Sequence, residues 1–265
     1  MNKILVLAKN QNTYFIRRLC EEVDLNTLEI FDPFVSIRPL KFEVPDIILC
    51  RTTGVYHNDH DLNFLQKQSA KIINPLSTLI NFRCKSRQYE YLDQHSIRIL
   101  PWKKCDSSLE GMQNYESLLI KPDKGQGGRG IRVLKNNDYK NWYTSQLSFN
   151  DTDFVLQPYF QAQKEFRIFF IEQKLWVLER WNDKGHPVNF NQGGYAKPSS
   201  LTLALDEEVR KFIEVSGASY GAIDLLVSES DHYFLELNTV PGIEQLEQIF
   251  KENIIKLLIL RLFKN

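Results

Sequence analysis

The sequence predicts a mixed protein, α/β at its N-terminus and α+β beyond, and three observations predict it. Short apolar runs alternate with helical patterns over residues 1–82, one glycine cluster lies between two apolar strands, and long apolar strands follow in adjacent pairs from residue 153. Strands separated by helices need crossovers and so form a parallel sheet, whereas strands joined by tight turns pair antiparallel.

Residues 3–8 (KILVLA), 27–31 (TLEIF), 46–51 (DIILCR) and 71–73 (KII) read as short strands. Helical patterns over 13–23, with Phe15, Leu19 and Val23 four apart, and over 59–68 lie between them, and Asn74-Pro75 ends the unit. A helix over 84–94 opens the second segment; strands at 117–121 and 131–134 flank the glycines, and 139–147 reads as a helix. From residue 153 come DFVLQPY, then EFRIFFI and KLWVLERW joined at Glu172-Gln173, then AIDLLV and HYFLELN joined near Ser230. Helices over 206–218 and 243–263 complete the chain. The expected units are 1–82, 83–152 and 153–265.

The 265 residues balance Lys+Arg 33 against Asp+Glu 33, which argues against a dedicated nucleic-acid binder. A hydrophobic fraction of 43% with mean hydropathy of −0.35 excludes a disordered or fibrous chain. Charge is segregated: residues 83–140 hold twelve basic and seven acidic side chains, and 141–265 hold twelve and seventeen. That division suits an anion over the middle of the chain and a cation toward its end. Cys20, Cys50, Cys84 and Cys105 form no CxxC pair, so neither a zinc site nor a disulfide framework is expected. The apolar run at 4–8 is too short for a signal peptide, and no stretch reaches the roughly 18 apolar residues of a membrane span. The expected location is the cytoplasm.

Gly125 to Gly130 spell GxGxxG directly after a strand. A dinucleotide fingerprint would open a helix here, but IRVL after Gly130 is β-like. A Walker A loop would carry its lysine at the loop's end, whereas Lys121 precedes it. What fits is a strand–loop–strand flap whose backbone N–H groups lie over phosphates, with Lys121 at its base and Lys85 as a second cation.

Asp224, Glu236 and Asn238 carry the sharper signal. If the last two strands pair about Ser230, Asp224 lies opposite Glu236, and period-two alternation puts Asn238 on the same face. Facing carboxylates repel unless a cation lies between them, and oxygen donors of this kind suit Mg2+ bridging to nucleotide phosphates. Ile223, Leu225, Leu235 and Leu237 are expected on the buried face.

Flap, hairpin and the ELNTVPG segment together resemble the ATP-grasp fold with a small N-terminal parallel α/β (pre-ATP-grasp) domain. The resemblance is to RimK-like carboxylate-amine ligases, of the ribosomal-protein glutamate ligase type, and runs from KILVLA through Arg51-Thr52-Thr53-Gly54 and Ile73-Asn74-Pro75 to the final helix. It implies Lys85 and Lys121 as phosphate lysines, with Gly127, Gly128 and Arg129 in the flap over the triphosphate. It implies Gln157, Pro158 and Tyr159 at the adenine hinge, Glu165 on the ribose, and Arg167 and Arg180 as catalytic residues. The metal ligands would be Asp224, Glu236 and Asn238, holding two Mg2+ ions or Mn2+ in their place. Two departures stand out. Pro158 replaces the hinge's usual glutamate, and Pro187 stands where relatives have an arginine two residues before Asn189, so Lys184 or Lys197 would have to supply that charge.

The implied activity is ATP-dependent amide formation through an acylphosphate, adding glutamate or another amino acid to a peptide, protein or small carboxylate, by a chain that forms a homo-oligomer. The alternative is an ATP-binding protein of the same fold without ligase activity. His57, Asp59, His60 and Asp61 lack metal-ligand spacing and read as a solvated loop, and Arg51, at a strand's end, is a candidate for a substrate carboxylate.

Overall fold

The computed structural model describes residues 2–35, 40–52, 59–125, 127–146, 153–181 and 194–263. Four parallel strands, β1 (Ile4–Leu7), β2 (Leu28–Phe31), β3 (Ile47–Cys50) and β4 (Lys71–Ile73), form the first sheet in the order β2-β1-β3-β4. Its helices are α1 (Tyr14–Glu22), capped by the Thr13 hydroxyl, α2 (His60–Leu65) and α3 (Leu76–Asn81). The two central strands, β1 and β3, are buried on both faces, which is why their sequences are continuously apolar rather than alternating.

Helix α4 (Lys85–Gln94) leads into a second, antiparallel sheet of β5 (Lys103–Lys104), β6 (Ser117–Pro122), β7 (Arg132–Lys135) and β8 (Phe154–Pro158), ordered β5-β8-β6-β7, with α5 (Tyr139–Gln146) against it. The third sheet is antiparallel and ordered β11-β10-β9-β12-β13, built from β9 (Lys164–Ile171), β10 (Lys174–Trp181), β11 (Tyr195–Pro198), β12 (Tyr220–Val227) and β13 (His232–Asn238). Helix α6 (Leu203–Ser216) is capped by Thr202 and closed by Gly217 at φ 64°, and buries Val209, Phe212 and Ile213.

The chain's last helical segment departs from expectation. One helix over 243–263 is two, α7 (Glu244–Phe250) and α8 (Ile254–Leu262). Lys251 adopts the left-handed conformation at φ 55°, and the Asn253 side chain then accepts from the Lys256 N–H to start a new helix. Apolar periodicity continues across the break, so the pattern alone conceals it.

The third sheet positions the site because its two faces differ. One face carries Phe166, Ile168, Phe170, Ile223, Leu225, Phe234 and Leu237 into a core with α6. The other packs Phe169, Leu178 and Ala222 against the first sheet and α8 at one end, and bears charged side chains at the other. Asn74 ties the first sheet to this one: its amide oxygen accepts from Ser219 N–H at 2.8 Å and its amide nitrogen donates to Tyr220 O at 2.9 Å. No helix among the described residues is long and apolar enough to cross a membrane.

Candidate active site

Asp224 is directly opposite Glu236 in the β12–β13 pair, as counting from Ser230 predicts. The path to that register differs from the prediction. Near the turn Val227 pairs with His232 and Leu225 with Phe234, and a bulge between Asp224 and Leu225 in the ladder shifts the register by one. Leu235 is the extra residue, so Phe234 fills the buried position expected of Leu235. Across the β9–β12 pair Asp224 faces Arg167, which makes Arg167, Asp224 and Glu236 one row on one face.

Arg167 Nη1 donates to both Asp224 oxygens at 3.2 and 3.1 Å, and Arg180 Nη2 lies 3.2 Å from Asp224 Oδ1. Arg180 also forms an ion pair with Glu165, its register partner on β9. Burial works against the Arg180 charge, but Asp224 and Glu165 outweigh it and raise its pKa. Its Nε is buried with no hydrogen-bond partner among the described residues. Asn238 Oδ1 accepts from the Val240 N–H at 2.9 Å, which fixes the amide at the start of the TVPG turn.

Lys121, at the end of β6, is buried; its ammonium donates to Gln157 Oε1 at 2.8 Å and Tyr89 Oη at 3.3 Å. Burial lowers its pKa to about 8, with Glu236 acting in the opposite sense and Lys85 adding to the depression. Lys85 begins α4 and donates to Gly125 O at 3.0 Å. Beyond Gly125 the chain runs into β7, so the glycine string lies between strands. Gly127, Gly128 and Gly130 have φ of 64°, 69° and 75°, values that L side chains rarely adopt, and a Cβ on Gly130 would come within 2.8 Å of Pro122 Cγ. Arg129 is exposed at the loop's tip.

The hinge segment is built into the second sheet: Pro158 is the register partner of Leu118, and the Tyr159 N–H donates to Ser117 O at 2.9 Å. Lys197 does not reach the row. It is the register partner of Glu179 on the face opposite Arg180, lies 3.7 Å from that carboxylate and 5.4 Å from the Trp181 ring centroid, because strand alternation turns it away. Lys184 and Asn189 lie outside the described residues, as does His57. The solvated-loop reading fails for Asp61, which is fully buried on α2 and bidentate to Arg83 at 2.9 and 3.0 Å. Arg51 stacks on Phe15 at 3.8 Å and donates to Pro241 O at 3.1 Å, so its guanidinium braces the two sheets.

Sequence reasoning missed three residues. Asp123 accepts from Ser86 N–H at 2.7 Å and Ser86 Oγ at 2.9 Å, anchoring the first turn of α4. Tyr89 and Gln88 lie on the same helix as Lys85, one turn on, and helical spacing from the lysine was the available signal.

Among the described residues no cluster of three or more His, Cys, Asp and Glu side chains could hold a metal alone. The hairpin offers two carboxylates and an amide oxygen, a set that suits Mg2+, which keeps waters and takes up phosphate oxygens. The cations fit a polyphosphate: a buried lysine, a helix-start lysine and an arginine whose buried Nε has no partner among the described residues.

Residues 103–262 match the RimK-like ATP-grasp domain. The chain belongs to the RimK-like ATP-grasp family. Membership places it among ATP-dependent carboxylate-amine ligases, the class its sequence predicts. A probable α-L-glutamate ligase of Stenotrophomonas maltophilia (strain K279a) is 22% identical over 92% of each chain. The tetrahydromethanopterin:α-L-glutamate ligase of Methanocaldococcus jannaschii is 24% identical over 57% of this chain and 55% of its own length. Among solved structures, ATP-grasp ligase PsnB complexed with a phosphomimetic variant of minimal precursor, Mg and ADP has a TM-score of 0.70 at 13% identity, over 99% of this RimK-like chain and 98% of PsnB.

Proposed function

We propose that this RimK-like chain uses ATP and Mg2+ to join a carboxylate to the amine of an amino acid, the carboxylate belonging to a peptide, a protein or a small molecule. The row Arg167–Asp224–Glu236, flanked by Arg180 and Glu165 on one sheet face, carries the reading. Glutamate ligases among the relatives, and a precursor peptide bound to the structural neighbour MdnC, favour glutamate as the amine and a peptide as the carboxylate. The three units 1–82, 83–152 and 153–265 are assigned to the pre-ATP-grasp, central and C-terminal parts, in a cytoplasmic homo-oligomer.

Asp224, Glu236 and Asn238 are assigned to Mg2+, two ions with Mn2+ as a substitute, which when bound supplies charge neutralisation at the phosphates. Lys85 and Lys121 hold the triphosphate beneath the flap of Gly127, Gly128 and Arg129, and Lys121 remains a cation at neutral pH because its pKa is about 8. Gln157, Pro158 and Tyr159 line the adenine position, where the Pro158 carbonyl still accepts from an amino group, and Glu165 serves the ribose hydroxyls. Asn189 is assigned to the same nucleotide site.

A substrate carboxylate oxygen attacks the γ-phosphorus, ADP leaves, and an acylphosphate forms. The amine nitrogen then attacks the acyl carbon, phosphate leaves with its bonding pair, and the nitrogen loses a proton to give the amide. Arg180 is assigned to the developing oxyanion, a role supported by its buried Nε having no partner among the described residues, and Arg167 supports it by holding Asp224.

The test is ADP and phosphate release over a panel of amino acids and acidic peptides, wild type beside Glu236→Ala, with mass spectrometry of the products. A product lighter by one water than its two substrates, from the wild type only, is expected. Wild-type turnover in Glu236→Ala overturns the metal assignment, and ATP binding without ADP release on any pair favours a nucleotide-binding protein.

A further inference from the structure

Strand β13 is the outer strand of the third sheet, and apart from a single bridge between Phe234 and Ile99 no strand among the described residues pairs with its outer edge. At Leu237 a side chain takes that place. The Leu237 N–H donates to Gln88 Oε1 at 2.6 Å, and Gln88 Nε2 lies 3.5 Å from Leu237 O. Leu237 separates Glu236 from Asn238, so Gln88 grips the strand between two residues assigned to the metal. Gln88 is 3% exposed, and its side-chain hydrogen bonds run to the Leu237 backbone. It stands three residues beyond Lys85 on α4, and so on the same helical face.

We infer that Gln88 is a positioning residue that fixes the metal-binding strand relative to the phosphate lysine of α4. Glutamine suits the task because one side chain offers both an acceptor and a donor, matching the paired N–H and C=O of a strand edge. The strand is independently held at Phe234, whose N–H donates to Arg98 O at 2.9 Å, so loss of the amide leaves β13 in the sheet while freeing the Glu236–Asn238 end. Residues that orient metal ligands tune affinity without touching the ion.

The inference rests on the proposed metal role of Glu236 and Asn238, and one experiment separates the two. Mn2+ binding is titrated at saturating ADP by electron paramagnetic resonance of the free ion, and ADP binding is measured separately in EDTA. Gln88→Met, which keeps the volume and removes both hydrogen bonds, is expected to weaken Mn2+ by about tenfold or more while metal-free ADP affinity stays within about twofold. Gln88→Glu keeps the acceptor for the Leu237 N–H and should recover most of the Mn2+ affinity.

Wild-type Mn2+ affinity in Gln88→Met, beside a Glu236→Gln variant that has lost it, overturns the inference and leaves the metal assignment standing. Wild-type affinity in Glu236→Gln overturns both. An equal loss of metal-free ADP binding in Gln88→Met, or no recovery in Gln88→Glu, marks general loosening and also overturns it. If Gln88→Met does not fold, Gln88→Asn, one methylene too short to reach Leu237, takes its place with the same expectations.

Discussion

Lys121 and Gln157 form one buried unit: the ammonium donates to the amide oxygen over 2.8 Å, between adjacent strands and 36 residues apart in sequence. The lysine assigned to phosphate and the glutamine assigned to the adenine hinge therefore share a hydrogen bond, and the state of one affects the other.

Lys121 sets a pH dependence. Its pKa is lowered to about 8 by burial, so the cation proposed to attract phosphate is lost as pH rises through that value. ADP affinity should fall above pH 8, by up to about tenfold per unit, with uptake of as much as one proton on binding. Calorimetry near pH 9 in buffers of different ionisation enthalpy reads that uptake; heats that do not depend on buffer would remove Lys121 from the phosphate site. For folding the sign is opposite. Between about 8 and the ordinary 10.5 the unfolded chain binds the extra proton, so this group adds stability as pH rises through that window.

Arg180→Lys keeps a charge beside Glu165 and Asp224 but loses the planar fork and the Nε donor. Turnover should drop by roughly 10²-fold, while ADP affinity changes by only a few fold. Steady-state kinetics on any pair the wild type joins, beside ADP binding, makes the distinction. An unchanged kcat would exclude Arg180 from oxyanion stabilisation.

Asp123→Ala removes both acceptors from Ser86 and frees the first turn of α4, where the Cys84 cap supplies no side-chain bond. A loss of about 1–2 kcal/mol in urea unfolding is expected, with weaker ADP binding because Lys85 belongs to that turn. Asp123→Asn should recover part of both. Wild-type ADP affinity in a destabilised Asp123→Ala would mean the turn holds Lys85 without help.

Asp61→Asn leaves Arg83 buried without its bidentate partner. Because Asp59 still pairs with the Arg83 Nε at 2.8 Å, the cost should be about 1–3 kcal/mol, above that of a surface pair. Adding Arg83→Met should restore part of the stability, since it removes a buried guanidinium that has lost its bidentate partner and keeps only Asp59, at 2.8 Å. Additive losses in the double variant would show that the two side chains do not depend on each other.

Much of this was legible in the chain. Thr13 and Thr202 mark helix starts by the hydroxyls they supply, and the glycine string is followed by a strand, as its β-like sequence required. Opposition of Asp224 and Glu236 could be counted, yet the count succeeded through compensation: the turn is one residue tighter than assumed, and the bulge restores the register. The helix break at Lys251 escaped because its conformation, rather than its residue type, ends the helix.

Local sequence determined what depends on near neighbours: strand and helix periods, caps, the flap, and the face shared by Glu236 and Asn238. The tertiary structure alone decided which charges meet. Gln88 reaches Leu237 across 149 residues, Arg167 reaches Asp224 across 57, and Arg83 finds Asp61 rather than solvent. A side chain's own period fixes its face, but the partner on that face is set by how separate strands and helices stack, and burial then makes each such pairing obligatory.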